Sequence, residues 1–426
     1  MSPDPSTSLT GSAPTSVHGR IRRRRRPAAV GLIAAVMLVS SCSGGDDTSG
    51  TTTPVESTTG STASTSDAPP STIDPTRLAA VYAEAGPFPV GVTTLELDKG
   101  PLVEGWYPAV AGSTGTETYD VRDFTPDAIK AILTGDAPAS YSYAATRDAD
   151  VADGAYPVVL FSHGFTGIRV QSSFLTAHLA SWGMIVVSPE HPSRDLTNVL
   201  AGTASGDRAD SVDDLLVSLD LISAQATDPT SRFDGHVDTA HVAAVGHSAG
   251  GGTVLGAAGA DERIDGYVSL ASGAFLGGGG TTTSAPAALP DVPSFFMAGS
   301  VDAVVPADAV TRPSWDAAPS PSLLWVLDGV GHNGFDDFCT FGNGTGIIGV
   351  AEASGLGAFL DAQPQLRTLG QDGCIAPAVP VADTFPVIRH GVTAWLRALF
   401  GVDPAALALG PDYATAYAVP VEISEK

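Results

Sequence analysis

Positive charge is scarce in this 426-residue chain: 21 Lys and Arg face 46 Asp and Glu, a formal net charge of −25. Lysine is almost missing, with Lys99, Lys130 and Lys426 alone against 18 arginines. Six of the basic residues, Arg20 and Arg22 to Arg26, precede Cys42 with Asp4 as their one acidic companion, so the chain beyond residue 41 carries 15 basic and 45 acidic residues. Such a surface repels a phosphate backbone and excludes nucleic acid as a partner; the acidity itself reads as a solvated shell. The apolar stretch near the N-terminus, Pro27 to Val39, covers about thirteen residues where a bilayer span needs about twenty. Cysteine is limited to Cys42, Cys339 and Cys374, and no internal repeat is evident. What the chain does have is a hydrophobic content of 43%, ample for a substantial core in one large domain or two ordinary ones.

The basic run to Arg26, the apolar stretch and then Ser40, Ser41 and Cys42 read as an address rather than as fold. They resemble a bacterial lipoprotein signal, with Val39-Ser40-Ser41-Cys42 in the place of the lipobox. That resemblance implies cleavage before Cys42, a diacylglycerol thioether on its sulfur and attachment to the outer face of the cell membrane. An uncleaved anchor helix or an ordinary secretory signal are the alternatives, and Arg22 to Arg26 also allow twin-arginine export. From Ser43 to about Thr76 the chain is Ser, Thr, Gly, Pro and Asp with almost nothing apolar to bury. This segment reads as a tether with a span of roughly 30 Å. The expected organisation is therefore a signal over 1–41, a tether over 42–76 and one folded domain over 77–426.

With Cys42 assigned to the lipid, Cys339 and Cys374 remain as a pair in an exported, oxidising setting, and a disulfide is expected. Closing that loop would stabilise the fold by about 3–4 kcal/mol. A metal site using the two cysteines with His332, Asp336 and Asp337 is the alternative.

Within the domain, apolar β-branched segments alternate with stretches of helical spacing, which predicts an α/β fold: a mostly parallel sheet of about eight strands with helices on both faces. Strands are expected at Val90–Leu97 and Leu102–Tyr107, an antiparallel pair, then at Pro157–Phe161, Met184–Val187, His241–Val245, Tyr267–Leu270, Ser294–Met297 and Leu323–Leu327. Helices are expected at Gln171–Trp182, Arg208–Ala226, Gly250–Gly259 and Phe385–Phe400.

Gly246-His247-Ser248-Ala249-Gly250 is a Gly-x-Ser-x-Gly elbow set between an expected strand and a small-residue helix, the context that such a nucleophile requires. A serine hydroxyl needs a base within hydrogen-bond reach and a carboxylate to orient that base. Asp302 follows the strand Ser294–Met297, and His332 follows the strand Leu323–Leu327, so both loops open on the edge that carries Ser248. Asp328 competes for the acid role but lies only four residues before His332. Among the other histidines, His163 is expected to shape the oxyanion loop, His191 and His247 to make structural hydrogen bonds, and His390 to pack or face solvent. The Ala249 N–H supplies one oxyanion donor, and the turn Ser162-His163-Gly164-Phe165-Thr166-Gly167 supplies the other through Phe165. The Phe165 ring is expected in the cleft, with core packing as the alternative.

These segments, together with Gly86–Gly91, Leu102–Pro108 and Gln171–Leu175, resemble the bacterial relatives of platelet-activating-factor acetylhydrolase, within the α/β-hydrolases that include dienelactone hydrolases and polyester hydrolases. The resemblance spans about Pro87 to Phe400 and departs from a dienelactone hydrolase in having Ser248 where a cysteine is expected. It implies the α/β-hydrolase fold and carboxylic-ester hydrolysis without a metal or organic cofactor. Ser248 falls in the nucleophile position, Asp302 in the acid, His332 in the base, and Phe165 and Ala249 in the donor positions. The expected partners are a small-molecule or lipid ester and, through the anchor, a membrane; a monomer is expected. Polyester hydrolase, lipase, envelope acyltransferase and non-catalytic binding lipoprotein remain as rival readings. An apolar insertion at about 334–380 is expected either to cover the cleft or to pack beside the sheet, and Gly277–Gly280 with Thr281–Ala288 is read as a second loop.

Overall fold

A computed structural model describes residues 74–133, 138–274 and 288–426, all within the unit Pro70–Lys426. The signal, Cys42 and nearly all of the tether lie outside these residues, as do Gly277 to Gly280 and most of the loop that follows them. Among the described residues no helix is long and apolar enough to cross a membrane. The described residues start slightly inside the expected tether, where the Asp74 carboxylate accepts the Thr76 N–H and Pro75 opens a short helix, Pro75–Ala79.

Among the described residues twelve strands follow: β1 (Val90–Glu96), β2 (Leu102–Pro108), β3 (Thr116–Asp120), β4 (Ser140–Ala144), β5 (Thr146–Arg147), β6 (Tyr156–Ser162), β7 (Ile185–Pro189), β8 (Val237–His247), β9 (Gly266–Leu270), β10 (Ser294–Gly299), β11 (Ser322–Leu327) and β12 (Val421–Glu425). Ten of them make one sheet in the order β12-β11-β10-β9-β8-β6-β7-β2-β1-β5. The six strands from β11 to β7 in that order run parallel, while β1, β2 and β12 join antiparallel. The chain has the mostly parallel sheet and flanking helices of an α/β-hydrolase fold.

All eight expected strands are present, and four were not foreseen: the edge strands β5 and β12 and the pair β3 and β4. β5 is only two residues long, and β12 (Val-Glu-Ile-Ser-Glu) lacks a continuous apolar run because it lies at an edge. β3 and β4 pair separately. In the interior strands consecutive side chains feed opposite cores. Phe161, Val245 and Met297 pack with Phe174 and Ile388, from helices Ser173–Ser181 and Val381–Leu399. Leu160, Ala244 and Phe296 pack with Leu219 and Val254, from helices Arg208–Gln225 and Ala249–Ala260. Burial on both faces explains why these strands read as unbroken apolar runs. Because β6, β8, β10 and β11 are parallel, the turns after them open at one edge of the sheet.

Candidate active site

At that edge β8 passes into helix Ala249–Ala260 through one residue, Ser248, with φ 55° and ψ −122°. A non-glycine residue held at positive φ is strained by about 1–3 kcal/mol, and here the strain lifts the hydroxyl above the end of its strand. The flanking glycines are steric necessities. A Cβ on Gly250 would lie 1.9 Å from the Ser162 carbonyl oxygen, and one on Gly246 would lie 2.3 Å from the Gly250 oxygen.

The Ser248 hydroxyl lies 2.9 Å from His332 Nε2 and donates to it. On the far side of the ring, Nδ1–H donates to Asp302 Oδ2 at 2.9 Å. The other oxygen of Asp302 accepts the Val304 and Val305 N–H groups at 2.9 and 2.6 Å, which leaves Oδ2 for the histidine. All three residues are buried. Burial alone would depress the imidazole, but the charge and hydrogen bond of Asp302, aided by Asp336 and Asp372, hold it above its ordinary value of 6.5. The competing acid, Asp328, is exposed and accepts only the Ser300 hydroxyl, at 3.2 Å.

Among the described residues, neither the Phe165 nor the Ala249 N–H has an acceptor, so both remain free to meet an oxyanion. A Cβ on Gly164 would lie 3.2 Å from Ser248 Cβ, which shows how closely the Phe165 turn approaches the serine. Buried groups brace this turn from below. His163 Nδ1–H donates to the Gly164 carbonyl at 2.8 Å, and Arg194 donates to the His163 carbonyl at 2.9 Å and to the Ser162 hydroxyl at 2.8 Å. His191 sits between Ser162 and Asp214, 2.9 and 3.0 Å away. His390 accepts the Tyr82 N–H and donates to the Leu407 carbonyl in the opposite core region.

Two connections had no sequence signal. Gln171 accepts the Gly164 N–H at 3.2 Å and donates to His247 Nδ1 at 2.7 Å, while His247 Nε2–H donates to the His332 carbonyl at 3.1 Å. This line of hydrogen bonds joins the Phe165 turn to His332. Burial, with the neighbouring His332, holds the His247 imidazole well below its ordinary value, so it is neutral and can accept at Nδ1. Gln171 also donates to Asp336, whose carboxyl is pushed up to about 8 by burial. The second connection is Asp372. Its Oδ1 accepts the His332 N–H at 2.7 Å and its Oδ2 accepts the Ala303 N–H at 2.9 Å.

Asp372 belongs to the insertion, which is tied at its ends by a disulfide between Cys339 and Cys374. At the start of the insertion Asp337 accepts the Ser173 and Phe174 N–H groups and the Tyr119 hydroxyl, so it caps helix Ser173–Ser181. Between these points lie short helices, Gly346–Ala351, Gly357–Asp361 and Pro364–Gln371. They wall a cleft of about 960 Å³, open mouth included, that contains Ser248 and His332. Ile347, Leu356, Phe359, Leu366 and Leu369 line it, and so does the half-exposed Phe165 ring. The insertion thus borders the cleft rather than packing away from it.

A family model described as PETase, PET hydrolase-like, matches residues 142–363, slightly more than half of the chain. Among solved structures, a ferulic acid esterase from Streptomyces cinnamoneus superposes with a TM-score of 0.53 at 20% identity, covering 74% of this chain and 92% of that one. At that identity the likeness is one of fold. A search of curated protein sequences finds no match.

Proposed function

The chain belongs to the PET hydrolase-like family and is a carboxylic-ester hydrolase, and from that premise we propose that it works through an acyl-enzyme on Ser248. The observation that carries this reading is the unbroken chain from Ser248 through His332 to Asp302, with both links at 2.9 Å. Ser248 Oγ attacks the ester carbonyl while its proton passes to His332 Nε2, and Asp302 steadies the imidazolium. The Phe165 and Ala249 N–H groups take the oxyanion, each worth roughly 3–4 kcal/mol in the transition state. The tetrahedral intermediate collapses by expelling the alkoxide, which leaves as the alcohol with the His332 proton. Water, deprotonated by the same imidazole, then cleaves the acyl-enzyme to the acid and restores the serine.

For the substrate we propose small acyl esters or lipid acetyl esters. The apolar lining of the cleft supports an ester with an apolar arm, because a charged or sugar-like arm would find few partners there. A polyester chain is the second reading, favoured by the family description and by the exposed Phe165 ring that lines the cleft. We further propose that the protein is exported and held at the outer face of the membrane through Cys42, on the strength of the signal-like residues before it.

Hydrolysis of p-nitrophenyl esters from acetate to palmitate, and of an aromatic diester, by the protein and by Ser248→Ala tests the reading. Turnover on the acyl series that vanishes in the variant supports it, and a preference for the diester moves the substrate to polyesters. Turnover that persists in Ser248→Ala would remove the proposed nucleophile.

A further inference from the structure

Asp302 and His332 stand on separate loops, after β10 and β11; the loops meet at their roots, where the Val301 N–H donates to the Val330 carbonyl at 3.1 Å and the Gly329 N–H to the Ser300 hydroxyl at 2.8 Å, and at their tips the Asp302 carboxylate meets the His332 ring. Asp372 adds a link at the tips, beside the reacting side chains. One of its carboxylate oxygens accepts the backbone N–H of His332 at 2.7 Å, and the other accepts the backbone N–H of Ala303, the residue after Asp302, at 2.9 Å. One carboxylate therefore spans the two loops, at the residue next to the acid and at the base itself.

The segment bearing Asp372 is itself held against the base loop. The Asn333 N–H donates to the Asp372 carbonyl at 2.9 Å, and the Asn333 side-chain amide donates to the carbonyls of Leu369 and Asp372 at 2.6 and 2.9 Å. Backbone meets backbone between Gly331 and Gly373: a Cβ on Gly331 would lie 2.6 Å from Gly373 Cα, so side chains there would part the two segments. Two residues beyond Asp372, the Cys339–Cys374 disulfide returns the chain to the start of the insertion.

We propose that Asp372 is a positioning residue which clamps the acid loop to the base loop and so holds His332 and Asp302 in register for proton transfer. This inference rests on the reading of Ser248, His332 and Asp302 as the catalytic chain. The residue lies beyond positions 142–363, the part of the chain that matches the family model. It has an electrostatic consequence as well. The groups that face the His332 side chain are Asp302 on the acid loop, Ser248 and His247 on the elbow, Asp336 at the start of the insertion and Asp372 at its end. The Asp302 carboxylate, with Asp372 beside it, favours the imidazolium; removing Asp372 makes the base easier to deprotonate.

The experiment is steady-state hydrolysis of p-nitrophenyl butyrate between pH 5 and 9 by the full chain and its Ser248→Ala, Asp372→Asn and Asp372→Glu variants, with thermal melting of each. Asp372→Asn keeps the shape but presents an amide where one N–H needs an acceptor. We expect it to lose about 10- to 100-fold in kcat with KM changed by less than about twofold, and to shift the acid limb of kcat/KM down by about half a pH unit. Asp372→Glu keeps the charge but misplaces it, so its acid limb stays while kcat falls. If Ser248→Ala retains full turnover, the reading of the site fails whatever Asp372→Asn does. If Ser248→Ala is inactive while Asp372→Asn keeps both its kcat and its acid limb, the clamp is overturned. Should Asp372→Asn fail to fold, the glutamate variant decides: full kcat there overturns the clamp and lost kcat supports it.

Discussion

Ser248 and His332 face each other across 2.9 Å and are held in opposite ways. The serine is fixed by its own backbone: a φ of 55°, a strand ending directly before it, and two glycines at which a Cβ would collide. The histidine is fixed by side chains brought from elsewhere. Asp302 takes one ring nitrogen, His247 holds its carbonyl and Asp372 holds its N–H. A locally built position tolerates little change within a few residues and is indifferent to the rest of the chain. A position built from distant contacts has the reverse sensitivities.

The largest effects should come from the chemistry the two positions share. Ser248→Ala or Asp302→Asn should each lower kcat by about 10³- to 10⁴-fold or more with the melting temperature nearly unchanged, as measured by ester hydrolysis and calorimetry. A smaller loss in Asp302→Asn than in a variant of Asp328 would reverse the assignment of the acid. Next in size is the elbow itself. Gly250→Ala places a methyl 1.9 Å from the Ser162 carbonyl, and more than about 3 kcal/mol of stability should disappear, read by denaturant unfolding. Full stability in that variant would mean that the elbow is looser than its backbone implies.

On the histidine's side, Cys339→Ser removes the disulfide at the foot of the insertion and should cost about 3–4 kcal/mol, again by unfolding. Because Asp372 lies two residues from Cys374, kcat should fall in the same variant; stability lost with kcat unchanged would make the insertion a wall and nothing more. The smallest effect is in pH dependence. His332 acts only when neutral and its imidazole is held above 6.5, so kcat/KM should fall as pH drops through a value above 6.5. An acid limb well below that value would mean that the carboxylates around the ring do not act on it.

The same contrast explains what could be read from residues alone. Gly246 to Gly250 declares itself because its geometry needs five consecutive residues, and interior strands such as β7, β10 and β11 declare themselves because burial on both faces leaves apolar runs. Asp302 and His332 were legible through their places after strands. Asp372, Gln171 and Asp337 were not, since their work depends on partners 40, 76 and 164 residues away. Asp337 was weighed as a metal ligand; its carboxylate instead caps a helix. The edge strand β12 escaped because three of its five residues are polar and its ladder is completed on one side alone.

The central claim is that Ser248 carries the acyl group, and the most direct test is covalent capture with a p-nitrophenyl alkylphosphonate followed by intact mass and peptide mapping. The account predicts one phosphonate per chain, on Ser248, with activity lost in proportion to labelling and no label on Ser248→Ala. A fully active protein that takes no label, or a label on another residue that abolishes activity, would contradict it.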